Sequence, residues 1–264
     1  MGCFLTNSSL GRKLVMSISG CFLVLFLLFH MAMNVVALIG DGSAYNMICG
    51  FLGANWYALV GTAVLALGVL VHFAYAFWLT YQNRKARGNV RYAVTVTEKG
   101  VDWASKNMLV LGIIVILGLL LHLTHFWSKM QLVELLGGHE NDLGYAPTDG
   151  AALIAYTFSK WYNALLYIVW FAALWFHLTH GVWSMLQTVG WANDKWYPRL
   201  KVLSGAVATV IFAGFAVVTV LFFLKENGIC CCGAEETVEH AVELVETAVE
   251  TVVETASEVV APAN

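Results

Sequence analysis

Five stretches of this 264-residue chain are long and apolar enough to cross a lipid bilayer. They cover roughly residues 14–39, 56–81, 107–128, 153–188 and 202–224. Hydrocarbon offers the backbone no hydrogen-bond partner, so about 20 apolar residues must coil into a helix to span it. Hydrophobic residues make up 59% of the chain and charged residues 12%, which is more apolar surface than a soluble domain buries. The sequence predicts an all-α bundle of five transmembrane helices within residues 1–225.

Basic residues are divided unequally between the segments that join these spans. If the N-terminus lies inside, the inner segments hold 11 of the 14 Lys and Arg residues, and the outer segments keep only Lys129, Lys160 and Lys225. Loops rich in Lys and Arg stay on the cytoplasmic side. The pattern therefore predicts a multi-pass protein with its N-terminus inside and its C-terminus outside. The net charge of −3, without a basic stripe, gives no indication of nucleic-acid binding.

The region 226–264 differs in composition from the rest of the chain. It carries eight glutamates between Glu235 and Glu258 and no Lys or Arg. Valines at 238, 245, 252 and 259 recur every seven residues, which is typical of an amphipathic helix or a weak coiled coil. Disorder until a partner binds is the equal alternative for so acidic a segment.

Histidines are the unusual polar residues of the spans, which contain no Asp or Glu. Titratable residues at membrane depth are costly and are functional by default. Haem iron takes two axial imidazoles from facing helices, which explains several membrane histidines without acidic partners. His139 and His240 lie outside the spans and are predicted to be solvated. The six histidines inside spans are His30, His72, His122, His125, His177 and His180.

Counting residues from the membrane boundary gives the depth of each histidine. On the first helix the count runs from Lys13 to His30, and on the third it runs from Lys106 to His122. Both helices enter from inside, so at about 1.5 Å per residue each histidine lies about 24 Å across a core of about 30 Å. The arithmetic pairs His30 with His122 near the outer face.

The other two helices enter from outside. The count from Trp56 to His72 equals the count from Trp161 to His177, and both correspond to about 24 Å of helix. The same arithmetic therefore places both histidines near the inner face and pairs His72 with His177. The sequence thus predicts two haems b, one held by each pair.

The third and fourth spans share the tetrapeptide His-Leu-Thr-His, at 122–125 and 177–180. Positions i and i+3 lie on one side of a helix, so either histidine of each tetrapeptide can reach a slot between helices. The alternative for His125 and His180 is a polar contact to a haem propionate or to a neighbouring helix. Ser17 lies near the inner face and is predicted to contact the propionates of the inner haem, with Arg12 as a second candidate.

Three phrases around these histidines resemble a known family. They are residues 29–34 (FHMAMN), 71–75 (VHFAY) and 176–184 (FHLTHGVWS). They resemble the single-subunit dihaem cytochrome b that anchors bacterial succinate dehydrogenases and fumarate reductases, over about residues 5–225. In that family Gly-Val-Trp follows the fourth ligand at the spacing of His177, which favours His177 over His180 and, by analogy, His122 over His125.

The resemblance implies a role in succinate:quinone oxidoreductase at the bacterial cytoplasmic (inner) membrane. A flavoprotein subunit and an iron–sulfur subunit would dock on the cytoplasmic face, where succinate chemistry would take place. Electrons would pass through the two haems between the iron–sulfur subunit and the quinone pool, with menaquinone as the family's low-potential quinone. The cationic segments 84–106 and 193–201 are the expected docking surface.

Some members of the family carry a membrane glutamate beside the fourth-helix ligand. Here Trp175 lies two residues before His177 and the spans hold no carboxylate, which argues against the same proton path.

Two other functions share parts of the pattern. A cytochrome b anchor of a hydrogenase or formate dehydrogenase would usually receive electrons from outside, and a haem-free transporter would show broken helices with Gly and Pro interruptions.

Overall fold

The computed structural model describes residues 8–53, 55–88 and 103–229, together with Glu243, Thr247 and Glu250. Over these residues the chain is helical and contains no strand. Five helices are long and apolar enough to cross a membrane, which confirms the predicted all-α class and number of spans. In chain order the helices are α1 (Ser9–Val35), α2 (Ser43–Phe51), α3 (Trp56–Arg87), α4 (Trp103–His125), α5 (Gln131–Leu135), α6 (Gly150–Phe158), α7 (Trp161–Thr188) and α8 (Trp196–Glu226).

The fourth predicted span, 153–188, is two helices rather than one. The chain leaves α6 at Ser159 and starts α7 after Lys160, whose extended backbone (φ −89°, ψ 114°) forms the N-cap. The Lys160 ammonium donates a hydrogen bond to the Tyr156 hydroxyl (2.8 Å). A charged residue is costly in hydrocarbon, so the break at Lys160 leaves only Trp161–Thr188 as the apolar span.

Four long helices form a ring around the middle of the bundle. Among the described helices α1 packs against α3 and α7, α7 packs against α4, and a looser contact between α3 and α4 closes the ring. Helix α8 packs against α7 and α1 from outside the ring. Within the described residues, neither diagonal pair, α1 with α4 or α3 with α7, is among the closely packed pairs of helices. The diagonals therefore leave space that helix packing does not fill.

Small residues bring α7 and α8 close together. Ser204 and Ala208 lie one turn apart on α8, and both are 0% exposed. The Ser204 hydroxyl donates to the Thr179 carbonyl of α7 (2.7 Å). In membranes, close approach of backbones through small residues replaces the hydrophobic drive that holds soluble helices together. Gly214 of α8 serves α1 in the same way, because a Cβ at position 214 would overlap the Met31 sulfur.

The two ends of the bundle differ in charge. One end, here called the basic end, holds the start of α1, α4 and α8 and the close of α3 and α7. The opposite end, here called the capped end, is covered by the short helices α2, α5 and α6. There the Lys129 ammonium forms a salt bridge with the Asp142 carboxylate (2.6 Å), and this contact holds the pKa of Asp142 below its usual value. Described basic residues at the basic end are Arg12, Lys13, Arg84, Lys85, Arg87, Lys106, Lys195, Arg199 and Lys201.

The acidic tail lies almost entirely outside the described residues, so its predicted heptad pattern remains a prediction. Glu243, Thr247 and Glu250 are helical and exposed, and the Thr247 hydroxyl donates to the Glu243 carbonyl (2.7 Å).

Replacing Ala208 with Leu is expected to lower the thermal midpoint of unfolding in detergent. The added atoms have no space between α7 and α8, and overpacking costs about 1–3 kcal/mol. Ala66→Leu adds the same atoms at an exposed position of α3 and should leave the midpoint unchanged. Equal midpoints for the two variants would show that the α7–α8 contact is not tightly packed.

Candidate functional site

His30 of α1 and His122 of α4 face one another across one diagonal of the ring. Their ring centres lie 5.8 Å apart and their planes are inclined by 78°. Aromatic side chains surround the pair: Phe26 stacks on His30 (5.4 Å), and Phe215 approaches it from α8 (5.7 Å). Trp170 of α7 lies 5.9 Å from the His122 ring. The first pair thus lies in an aromatic, water-poor environment.

His72 of α3 and His177 of α7 face one another across the other diagonal. Their ring centres lie 6.4 Å apart and their planes are inclined by 67°. Glycines lie against both rings: a Cβ at position 20 would be 3.4 Å from His72 Cε1, and one at position 112 would be 3.9 Å from His177 Cε1. The structure therefore brings together the two pairs that the depth arithmetic matched.

The two pairs lie at different levels of the bundle. Ser19, which contacts His72, precedes His30 on α1 by about three helical turns. Gly112, which contacts His177, precedes His122 on α4 by nearly the same length. At about 1.5 Å per residue, the two helices put the pairs about 15–17 Å apart along the bundle. The His72–His177 pair is nearer the basic end, and the His30–His122 pair is nearer the capped end.

The spacing within each pair suits one metal ion between two imidazoles. Two metal–nitrogen bonds of about 2.0 Å, each with about 1.1 Å from nitrogen to ring centre, would put the ring centres about 6.2 Å apart. The observed separations are 5.8 Å and 6.4 Å. All four imidazoles are only partly covered by protein although they point into the ring. Nδ1 of His177 is buried without a hydrogen-bond partner among the described residues. The donors and the space therefore fit a planar iron cofactor held across each diagonal.

Ser19 positions the His72 ring. Its hydroxyl lies 3.2 Å from His72 Nδ1 and donates to the Met16 carbonyl (3.1 Å), so it can accept the Nδ1 proton. Nε2 is then the unprotonated ring nitrogen, which can bind a metal. Metal-binding histidines are usually oriented in this way, by a hydrogen bond that their second ring nitrogen donates.

Ser19 cannot be identified in the sequence from the depth of residues in the membrane alone. Ser17, the predicted propionate contact, is buried at 6% exposure, but it lies on a different side of α1 from His30. At about 100° per residue Ser17 points about 140° away from His30, whereas Ser19 points within about 20° of it. The angular position of a residue around the helix axis, taken relative to His30, is the signal that identifies Ser19. The contact of Ser17 with a propionate remains a prediction.

A hydrogen-bond chain connects His30 to the capped end. The Asn34 amide donates to the His30 carbonyl (2.7 Å) and lies 3.4 Å from His30 Nδ1, while its oxygen accepts from the Tyr45 hydroxyl (3.1 Å). Burial raises the pKa of Tyr45, which keeps it a donor. The next residue, Asn46, donates to Asp149 (2.8 Å) at the start of α6. The short helices of the capped end therefore support the first pair.

The second histidine of each tetrapeptide lies beside a pair rather than within it. The His125 ring stacks on Tyr167 of α7 (5.8 Å between centres, 16°), with Nδ1 3.2 Å from the Tyr167 hydroxyl. The His180 ring meets the Trp183 ring edge to face at 5.0 Å. His125 thus contacts a neighbouring helix, and His180 lies one turn closer to the basic end than His177.

No group of three or more His, Cys, Asp or Glu side chains that could hold a metal ion is found in the described part of the chain. An iron in a porphyrin needs only two ligands from the protein, so paired histidines suffice. No protein-family model, curated protein or solved structure matches this chain.

Gly118→Ala is expected to displace Trp170 and to lower the thermal midpoint. A Cβ at position 118 would overlap the Trp170 indole, which donates from Nε1 to the Val115 carbonyl (3.0 Å) and lies beside His122. The overlap should cost about 1–3 kcal/mol. The matched control is Gly61→Ala on α3, where a Cβ meets nothing within 4 Å. A Gly118→Ala variant as stable as Gly61→Ala would contradict the packing around the first pair.

Proposed function

We propose that this chain is the dihaem cytochrome b anchor of a succinate:quinone oxidoreductase. The observation that supports it most is the pairing of four histidines from four helices across the two diagonals, at 5.8 Å and 6.4 Å. His30 with His122, and His72 with His177, would each hold one haem b. A bound haem b supplies a reversible one-electron iron couple, whose potential depends on its ligands and their hydrogen bonds.

The residues of this chain bind and orient the cofactors and keep water away. Four imidazoles would provide the ligands, Ser19 orients that of His72, and aromatic side chains enclose the first pair. The two levels, about 15–17 Å apart, would give electrons a path along the bundle from its basic end to its capped end. A metal-free channel gives no reason for imidazoles to be matched in pairs.

The basic end is the proposed docking surface for the catalytic partners. With the N-terminus in the cytoplasm, an iron–sulfur subunit and a flavoprotein subunit would bind there, nearest His72 and His177. Succinate or fumarate would react on the flavoprotein, and a membrane quinone, by family analogy menaquinone, would exchange electrons with this chain. The bacterial cytoplasmic membrane is the proposed location. The concentration of positive charge on the inner side favours this reading over a hydrogenase or formate dehydrogenase anchor.

Two b-type haems per chain are expected in protein purified in mild detergent. The measurement is a pyridine haemochrome spectrum divided by the protein mass from amino-acid analysis. His30→Leu and His72→Leu should each reduce the content to one haem, because each removes one axial ligand. Leucine at the solvated His139 is the control and should leave two haems. A haem-free wild-type protein would contradict the proposal.

Ser19→Ala is expected to weaken haem retention at the His72–His177 pair. Loss of a hydrogen bond to a metal-binding histidine typically costs about 10–100-fold in affinity. Haem retention during gel filtration measures the effect, and Ser19→Thr, which keeps the hydroxyl, should restore it. Ser17→Ala, on the same helix but turned away from His30, should retain more haem than Ser19→Ala. The reverse order would show that Ser17, not Ser19, supports the inner haem.

A further inference from the structure

A cavity of about 260 Å³ lies on the flank of the bundle at the basic end, between α4, α7 and α8. Trp103 and Ala104 line it from the first turn of α4, and Lys201 lines it from the second turn of α8. The rest of its lining comes from α7, between Trp175 and Trp183. Within the described residues, α4 and α8 are not among the closely packed pairs of helices, so the cavity is space that helix packing leaves between them.

The cavity lies at the level of a membrane boundary. Helix α7 starts at Trp161 on the opposite side of the bundle. About 30 Å of hydrocarbon corresponds to about 20 residues of helix, so the boundary at the basic end falls near residue 181, roughly, within the part of α7 that lines the cavity. Trp103 is 59% exposed and Phe176 is 38% exposed, so the cavity opens towards the bilayer at this level. A ligand that enters here comes from the layer where lipid headgroups meet acyl chains.

The two ends of the cavity differ in polarity. At the end nearer the basic end of the bundle, the Lys201 ammonium lies 5.5 Å from the centre of the Trp183 ring. About 12 Å deeper along both helices, the Trp175 indole donates its N–H to the Thr209 hydroxyl (3.0 Å). With that donor satisfied, Trp175 and the neighbouring Phe176 offer apolar ring surface at the deep end. The cavity is thus cationic towards the headgroups and apolar towards the hydrocarbon, which is the polarity of a phospholipid.

The charge of the cavity favours an anionic headgroup. Among the described residues that line it there is no Asp or Glu, and Lys201 is the one Lys or Arg. Lys106 is exposed one turn beyond Trp103 and lies on the same side of α4. Basic pockets between transmembrane helices attract anionic lipid headgroups by this kind of charge. The cationic group of a zwitterionic lipid would instead meet the like charge of Lys201.

We propose that this cavity binds an anionic phospholipid such as phosphatidylglycerol. Its phosphate would lie at Lys201, and the first part of one acyl chain would lie against Trp175 and Phe176. The cavity is smaller than the roughly 300–1,000 Å³ of sites that enclose a drug-sized ligand, so it takes only this part of the lipid and leaves the rest in the bilayer. The site goes beyond the proposed function, because it requires neither haem nor a partner subunit. Bound lipid would join α4 to α8 where the two helices do not pack.

The test is photolabelling of the purified protein in nanodiscs of phosphatidylcholine. The probe is a trace of phosphatidylglycerol that carries a diazirine near the start of one acyl chain, and labelled residues are mapped by peptide mass spectrometry. Labels are expected at 103–104 or 175–183, and excess unlabelled phosphatidylglycerol should prevent them. A phosphatidylcholine with the same diazirine should label these residues about fivefold less, which corresponds to about 1 kcal/mol. Equal labelling by the two probes, or protection by menaquinone but not by phosphatidylglycerol, would overturn the proposal.

Lys201→Gln removes the charge and should reduce this labelling about fivefold, whereas Lys201→Arg keeps the charge and should retain it. The matched control is Lys85→Gln, an exposed position at the basic end of α3, which should label like the wild type. Equal losses in Lys201→Gln and Lys85→Gln would show that the general charge of the basic end attracts the lipid, and would refute a site in the cavity.

Ala104→Leu fills the cavity without changing its charge and should also reduce the labelling. Ala66→Leu, exposed on α3, adds the same atoms outside the cavity and should leave the labelling unchanged. Ala104 is buried, so the thermal midpoint of the variant is measured on the same sample. Wild-type labelling of both Lys201→Gln and Ala104→Leu would overturn the site.

Discussion

The structure depends on how imidazoles are accommodated inside a bundle that crosses hydrocarbon. Polar nitrogens without partners are costly there, and the spans contain no carboxylate that could pair with them. The protein arranges four of the imidazoles in two facing pairs, each across a diagonal whose helices do not pack closely among the described residues. Space and metal-binding nitrogens therefore occur together, twice. The proposed planar cofactor, held by one histidine from each side, would account for the positions of the histidines, the adjacent glycines and the open diagonals.

The remaining helices keep these diagonals open. Helix α8 contributes no predicted ligand but packs tightly on α7 through Ser204 and Ala208, and on α1 through Gly214. At the capped end, the hydrogen bond between Asn34 and Tyr45 fixes the last turn of α1. The helices that face each other across a diagonal make little contact. The facing imidazoles are therefore held at their separation by the tight packing outside the ring.

Much of this architecture could be predicted from the sequence. The length of an apolar stretch and the number of residues between the membrane boundary and a histidine are both local properties of the sequence. Equal counts from the tryptophans that open α3 and α7 put His72 and His177 at one level, and the structure brings them together. The break at Lys160 could be anticipated only from its charge, since the flanking residues are as apolar as a span. Ser19 can be identified only when the angular position of a residue around the helix axis is combined with its depth in the membrane.

Electron paramagnetic resonance of the oxidised protein tests most directly whether two haems are each held by two histidines. The ring planes of the two pairs are inclined by 78° and 67°. Two imidazole ligands make a ferric haem low-spin, and a steep inclination between their planes increases the g anisotropy of its signal. Two such signals, each integrating to one spin per chain, are expected. A high-spin haem signal, or a protein without any haem signal, would rule out two haems that each have two histidine ligands.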